Sequence, residues 1–142
     1  MENVQYELRI RAIEAVRRLA YELDTEPYIW VQVDDQCEVP RAYVDQNGFI
    51  VFDIHEEAVN RFEIRDGWMS FQSRFGENNA IEEIAVPLTR IAKAAVESDL
   101  GDGVHFRTSP TTPEMVAAFR GEKSIEAPSQ LGGAARRPLR VK

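Results

Sequence analysis

Two dipeptides, Asn47-Gly48 and Asp66-Gly67, each stand between short runs of apolar or alternating residues. Both residues of such a pair tolerate the positive φ of a type I′ turn, which makes them strong short-range hairpin signals. Tyr28–Val33 alternates, with Ile29, Val31 and Val33 on one face and Tyr28, Trp30 and Gln32 on the other. A second strand is expected near Glu38–Val44. Phe49–Ile54 is apolar on both faces and reads as a central strand. An irregular turn around Ala58 and Val59 follows, then Phe62–Arg65 and Trp68–Phe75, and Gly76–Asn79 turns the chain into Ile81–Val86. Repeated short strands with tight turns predict an antiparallel meander closing into a small or half-open barrel.

Helical spacing flanks this meander. Over residues 4–23, Ile10, Ile13, Val16, Ala20 and Leu23 recur at three and four, and Leu8, Ala12 and Leu19 widen the stripe. Glu7, Arg11, Glu14, Arg17 and Arg18 mark the expected wet side, and Pro27 excludes further helix. The stripe suits either a lid over the sheet or a subunit interface. Leu88, Ile91, Ala92, Ala95 and Val96 predict a short helix, and Val104 with Phe106 a last edge strand. Residues 1–108 thus form the expected domain. Residues 109–135, with Pro110, Pro113 and Pro128 among small residues, read as a linker with one transient turn over Glu114–Arg120. Residues 136–142 form a basic tail.

Charge narrows the partners. The chain carries 17 lysines and arginines against 24 acidic residues, a formal net charge of −7. Four of those bases lie in residues 136–142, so the remainder holds 13 bases against 24 acids. An acidic body disfavours general binding to phosphate backbones. The longest apolar runs are far short of the roughly 20 residues that span a bilayer. No apolar leader opens the chain, and the single cysteine, Cys37, fits a reducing compartment, so a cytoplasmic protein is expected.

Catalytic patterns are thin. His55 and His105 stand in no metal-ligand spacing, and neither a phosphate loop nor a nucleophile elbow is present. Acidic neighbours Asp34, Asp35 and Glu38 should raise the pKa of Cys37, the wrong direction for a nucleophile. No cofactor, metal or enzymatic activity is expected. More telling is Trp68–Gly76, which places Met69, Phe71, Ser73 and Phe75 on one face and Trp68, Ser70, Gln72 and Arg74 on the other. Arg74 beside the Gly76 turn can pair with carboxylates and peptide carbonyls, or simply pack its stem on the strand. The tail alternates apolar anchors, Leu139 and Val141, with Arg137, Arg140 and Lys142, a pattern suited to docking on an apolar or acidic partner.

These residues, taken in order, resemble the stringent starvation protein B (SspB) family. The resemblance rests on the terminal helix, Glu26-Pro27, Val39-Pro40, Tyr43, Asn47-Gly48-Phe49-Ile50-Val51, Phe71, Arg74-Phe75-Gly76, Val86-Pro87, Gly101-Asp102-Gly103-Val104 and the Arg137-Pro138-Leu139-Arg140-Val141-Lys142 terminus. It covers roughly residues 8–107 and the last six to ten. Asn60 and Arg61 depart from the family's glycine and asparagine, and the tail lacks one apolar residue in each half. The resemblance implies a mainly β, Sm-like open barrel with an N-terminal helix and a disordered C-terminal tail. It also implies a proteolysis adaptor that binds ssrA-tagged polypeptides and tethers them to the ClpXP protease. Ala58, Ser73, Arg74 and Phe75 would line the peptide groove, with Phe52 and Phe71 as weaker candidates. Arg137, Pro138, Leu139, Arg140, Val141 and Lys142 would dock on the N-terminal domain of ClpX. Ile10, Ile13, Val16 and Ala20 would form a homodimer interface. The alternatives are an Sm- or OB-like RNA-binding module stacking bases on Trp68, Phe71 and Phe75, and a small hydrolase using His55 or His105.

Overall fold

The computed structural model describes residues 4–126. Helix α1 (Val4–Leu23) leads into strands β1 (Pro27–Gln32), β2 (Phe49–Asp53), β3 (Val59–Arg65), β4 (Trp68–Phe75), β5 (Ala80–Pro87), β6 (Ile91–Val96) and β7 (Val104–His105), then helix α2 (Pro113–Glu126). All strand pairs are antiparallel and fall into two open sheets, one ordered β2-β1-β6-β7 and the other β3-β4-β5. The architecture is mainly β, as the turns predict, with no closed barrel among the described residues.

The core lies between the sheets and under α1. Ile29 and Val31 from β1, Ile50 and Phe52 from β2, Met69 and Phe71 from β4, Ile84 and Val86 from β5 and Ile91 and Ala94 from β6 are all buried in it. Helix α1 adds Ile13, Val16 and Ala20. It therefore acts as a lid on its own chain. The residues named for a homodimer interface are thus buried in the chain's own core, with Ile10 half-buried against it. Arg17, expected on the wet side, instead donates to the Ile54 carbonyl (2.9 Å) and lies over the Phe62 ring. Where α1 meets the Asp66-Gly67 turn, a Cβ on Gly67 would sit 2.8 Å from the Tyr6 ring, so any other residue there would displace Tyr6. Asp66 and Gly67 both have positive φ, the type I′ geometry read from the sequence.

Five expectations are corrected. Glu38–Val44 is not a strand: Glu38 alone pairs, with Ala85, and a three-residue 3-10 turn follows over Arg41–Tyr43. Pro40 starts that turn, accepting from Tyr43 N–H, while the Arg41 guanidinium occupies the carbonyls of Asp34 and Cys37. The turn takes Arg41–Tyr43 out of the extended geometry that a ladder needs. At Asn47-Gly48 only Gly48 has positive φ, and Asp45 Oδ1 caps the turn by accepting from Asn47 and Phe49 N–H. β2 is an end strand rather than a central one, and its Val51 is 42% exposed. Residues 91–96 form β6 rather than a helix, because pairing with β1 and β7 buries this alanine-rich stretch from both sides. Such a short apolar run does not distinguish strand from helix by periodicity.

The fifth correction concerns residues 113–126, which form α2 instead of a transient turn. Thr112 caps it, its hydroxyl accepting from Met115 N–H (3.2 Å), and Pro113 takes the first helical position, where a missing N–H costs nothing. Met115 and Phe119, four apart, then seat on Trp68. The indole Nε1 donates to the Met115 carbonyl (2.9 Å), and the Trp68 and Phe119 rings stack at 4.3 Å. The approach to α2 is held by Asp34, which accepts from the Thr111 hydroxyl (2.8 Å), and by Arg90, which donates to the carbonyls of Gln32 and Ser109. Arg9, buried in α1, likewise donates to the carbonyls of Ile91 and Arg107. The expected linker beyond residue 126 and the basic tail lie outside the described residues.

Candidate functional site

The outer half of β4 is where the molecule stays open. β3 begins at Val59, opposite Ser73, so Arg74 and Phe75 run past its end. β3 is also irregular between Asn60 and Glu63, with Arg61 at φ 57°. Facing this gap is β2, joined to β3 by a tight turn in which Ala58 and Val59 N–H donate to the His55 carbonyl. The result is a groove of about 490 Å³. Val51, Phe52 and Asp53 line it from β2, Glu56, Glu57 and Ala58 from the turn, Val59 and Asn60 from β3, Gln72 to Phe75 from β4, and Ile81 from β5.

Apolar and charged groups divide the groove. Phe52 and Phe75 meet edge to face at 5.9 Å, and Tyr43 packs against Phe75 at 5.0 Å. Tyr43 reaches that position because Gly76 lacks a side chain: a Cβ there would lie 2.5 Å from the Tyr43 hydroxyl. Arg74 is exposed and fixed at one nitrogen, Nη1 donating to the Asn79 carbonyl (3.1 Å), which leaves other donors of the guanidinium for a ligand. On the opposite wall stand Asp53, Glu56 and Glu57. Asp53 hydrogen-bonds with Glu26, and that bond, followed by burial and the nearby charge of Asp53, raises the pKa of Glu26. One wall is therefore acidic and the other carries a cation.

Five of the six residues expected in the groove are on its lining: Phe52, Ala58, Ser73, Arg74 and Phe75. Phe71 is not. It is 2% exposed and lies behind Phe52, with ring centroids 5.3 Å apart, as part of the core. Val51, Asp53, Glu56, Glu57 and Ile81 were not legible as lining, since that depends on β2 being an end strand. Of the aromatics that an RNA-stacking surface would need, Trp68 lies buried beneath α2 and Phe71 is in the core, leaving Phe75. The residues named for the tail, Arg137 to Lys142, lie outside the described residues.

Little here suits bond-making chemistry. Cys37 is buried, and burial first, then the Asp34 carboxylate, pushes its thiol up to about 12. His55 Nδ1 accepts from Glu57 N–H as part of the turn. No group of His, Cys, Asp and Glu able to hold a metal occurs among the described residues, and no helix among them is long and apolar enough to cross a membrane.

An open two-sheet β domain, with a groove of mixed apolar and charged lining at its sheet edges and one arginine on the rim, has the form of a binding module. The family profile described as stringent starvation protein B matches residues 2–137, and the chain belongs to that family. It is a family of non-catalytic adaptors. No curated protein matches the chain.

Proposed function

We propose that the groove binds the ssrA degradation tag of ribosome-rescued proteins, and that the C-terminal tail passes the captured protein to ClpXP in the cytoplasm. The observation that carries this reading is the convergence of Phe52, Ala58, Ser73, Arg74 and Phe75 on one groove in a chain of this adaptor family. The apolar floor takes apolar side chains of an extended tag, and Arg74 takes a carboxylate. Arg137 to Lys142 supply the docking element for the N-terminal domain of ClpX. Tethering converts a second encounter into an intramolecular one, with effective concentrations on the order of millimolar for short linkers. Because α2 takes up residues 113–126, residues 127–135 remain as the connection to the tail.

Arg74→Glu should weaken binding of a fluorescent ssrA-type peptide by roughly 10–100-fold, the loss of one charge-assisted contact. Unchanged anisotropy titrations would refute that role. Deleting Leu139–Lys142 should leave tag binding intact and abolish the enhancement of ClpXP degradation; unaltered delivery kinetics would remove the tail from the scheme.

For the homodimer that the family resemblance implies, we propose a contact through the exposed face of α1. Leu8, Leu19 and Leu23 are 59%, 44% and 56% exposed and share one helical stripe with Ala12 and Ala15. Leu19→Glu should yield monomers by light scattering with little change in thermal stability. A persistent dimer would place the contact elsewhere.

A further inference from the structure

The hydrogen-bonding alternation between β1 and β2 fixes which way each backbone group of β2 points. In the register of this pair, Ile54 N–H donates to the Pro27 carbonyl (2.9 Å) and Val33 N–H to the Gly48 carbonyl (2.8 Å). Bonded pairs recur at every second residue of an antiparallel ladder. Ile50 and Phe52 therefore turn their N–H and C=O groups towards β1, opposite Val31 and Ile29. Phe49, Val51 and Asp53 turn theirs away. Phe49 is consistent with this parity, since Asp45 takes both its N–H and its C=O.

Val51 and Asp53 have no such backbone partner among the described residues. β2 ends its sheet, and both residues line the groove. Their outward groups repeat about 7 Å apart, two residues at a strand's rise, which matches the backbone repeat of another extended chain. Unpaired edges invite strand addition unless blunted, commonly by lysine or proline. Phe49–Asp53 contains neither.

We propose that the groove takes its peptide as an added strand on β2, paired through the main chain of Val51 and Asp53, with an acidic side chain of the peptide on Arg74. This deepens the tag-binding reading and rests on it. Main-chain pairing is blind to side-chain identity, and a strand's side chains alternate in direction. Only every second residue of the peptide then meets Phe52 and Phe75, so sequence selectivity is confined to those positions and to the acidic residue.

The test is an N-methyl scan of the ssrA-type peptide against the full chain, one amide at a time, read by fluorescence anisotropy. Methylation at alternate residues should weaken binding about tenfold or more, the worth of one hydrogen bond, and at the intervening residues less than about twofold. Val51→Pro removes an outward donor without breaking a bond to β1, a placement proline tolerates on edge strands. It should show a similar loss with an unchanged circular dichroism spectrum; if that variant does not fold, the scan alone decides. Tight binding of the unmethylated peptide with a flat scan overturns strand addition while leaving tag binding in place. No binding of the unmethylated peptide overturns both. A Val51→Pro variant that binds peptide normally but loses dimer mass would assign this edge to a second copy of the chain, and the proposal would fall.

Discussion

The two ends of β4 both carry an aromatic ring, Trp68 and Phe75, and stand in opposite situations. Trp68 at its start is 3% exposed, beneath Met115 and Phe119 of α2. Arg74 and Phe75 at its end run beyond β3 and face an open groove. Each half carries its ring at the outer end, so the presence of an aromatic does not separate them. Coverage does: one half has a helix of its own chain to bury it, and the other is left for a partner.

The sharpest way to break this comparison is to truncate an aromatic in each half. Trp68→Ala should cost about 3–5 kcal/mol of stability in urea titrations, as large buried aromatics do, with tag affinity unchanged at temperatures where the variant is folded. Phe75→Ala should cost only about 1–2 kcal/mol, because the ring is half-exposed, and should weaken tag binding instead. If both variants lost stability alike, the division of β4 would be wrong.

A smaller effect sharpens the covered half. Phe119→Ala removes the ring stacked on Trp68 and should cost about 0.5–1.5 kcal/mol beyond lost burial. Hydrogen exchange should quicken along Pro113–Phe119 and not along β4. Uniform exchange across both would mean that α2 and the sheet open together.

The smallest effect lies at the approach to α2. Burial alone would raise the pKa of Asp34, but hydrogen bonds from Thr111 and Gln36 and the Arg90 charge outweigh it and hold the carboxyl below its usual value. A lowered native pKa stabilises the fold above the unfolded value of about 3.9 and loses that contribution as pH falls through the native value. Asp34→Asn should therefore cost about 1 kcal/mol at pH 7, and the difference from the parent should shrink below about pH 4. A constant difference across that range would show that the charge of Asp34 contributes nothing.

Where local chemistry decides conformation, the sequence was readable. The span of α1, the Asp66-Gly67 hairpin and the irregular turn at Ala58 follow from spacing and φ preferences, and the Arg74-Phe75 end of β4 stood out by its turn and neighbours. Several misreadings share a root: a segment's state is set by what it meets. Residues 91–96 become a strand because β1 and β7 flank them. Val51 is exposed because β2 ends a sheet. Residues 113–119 are helical where prolines suggested a linker, and the Thr112-Pro113 start was a capping signal masked by proline's reputation as a breaker.

Arg9, Arg41 and Arg90 fasten loops by gripping carbonyl oxygens: those of Ile91 and Arg107, of Asp34 and Cys37, and of Gln32 and Ser109. Every residue type offers the same oxygen, so these staples ignore the identity of what they hold. Where the held residue lies on the surface, as Arg107 does and Ser109 does in part, its side chain is thus free to drift over evolutionary time while its path through space stays put.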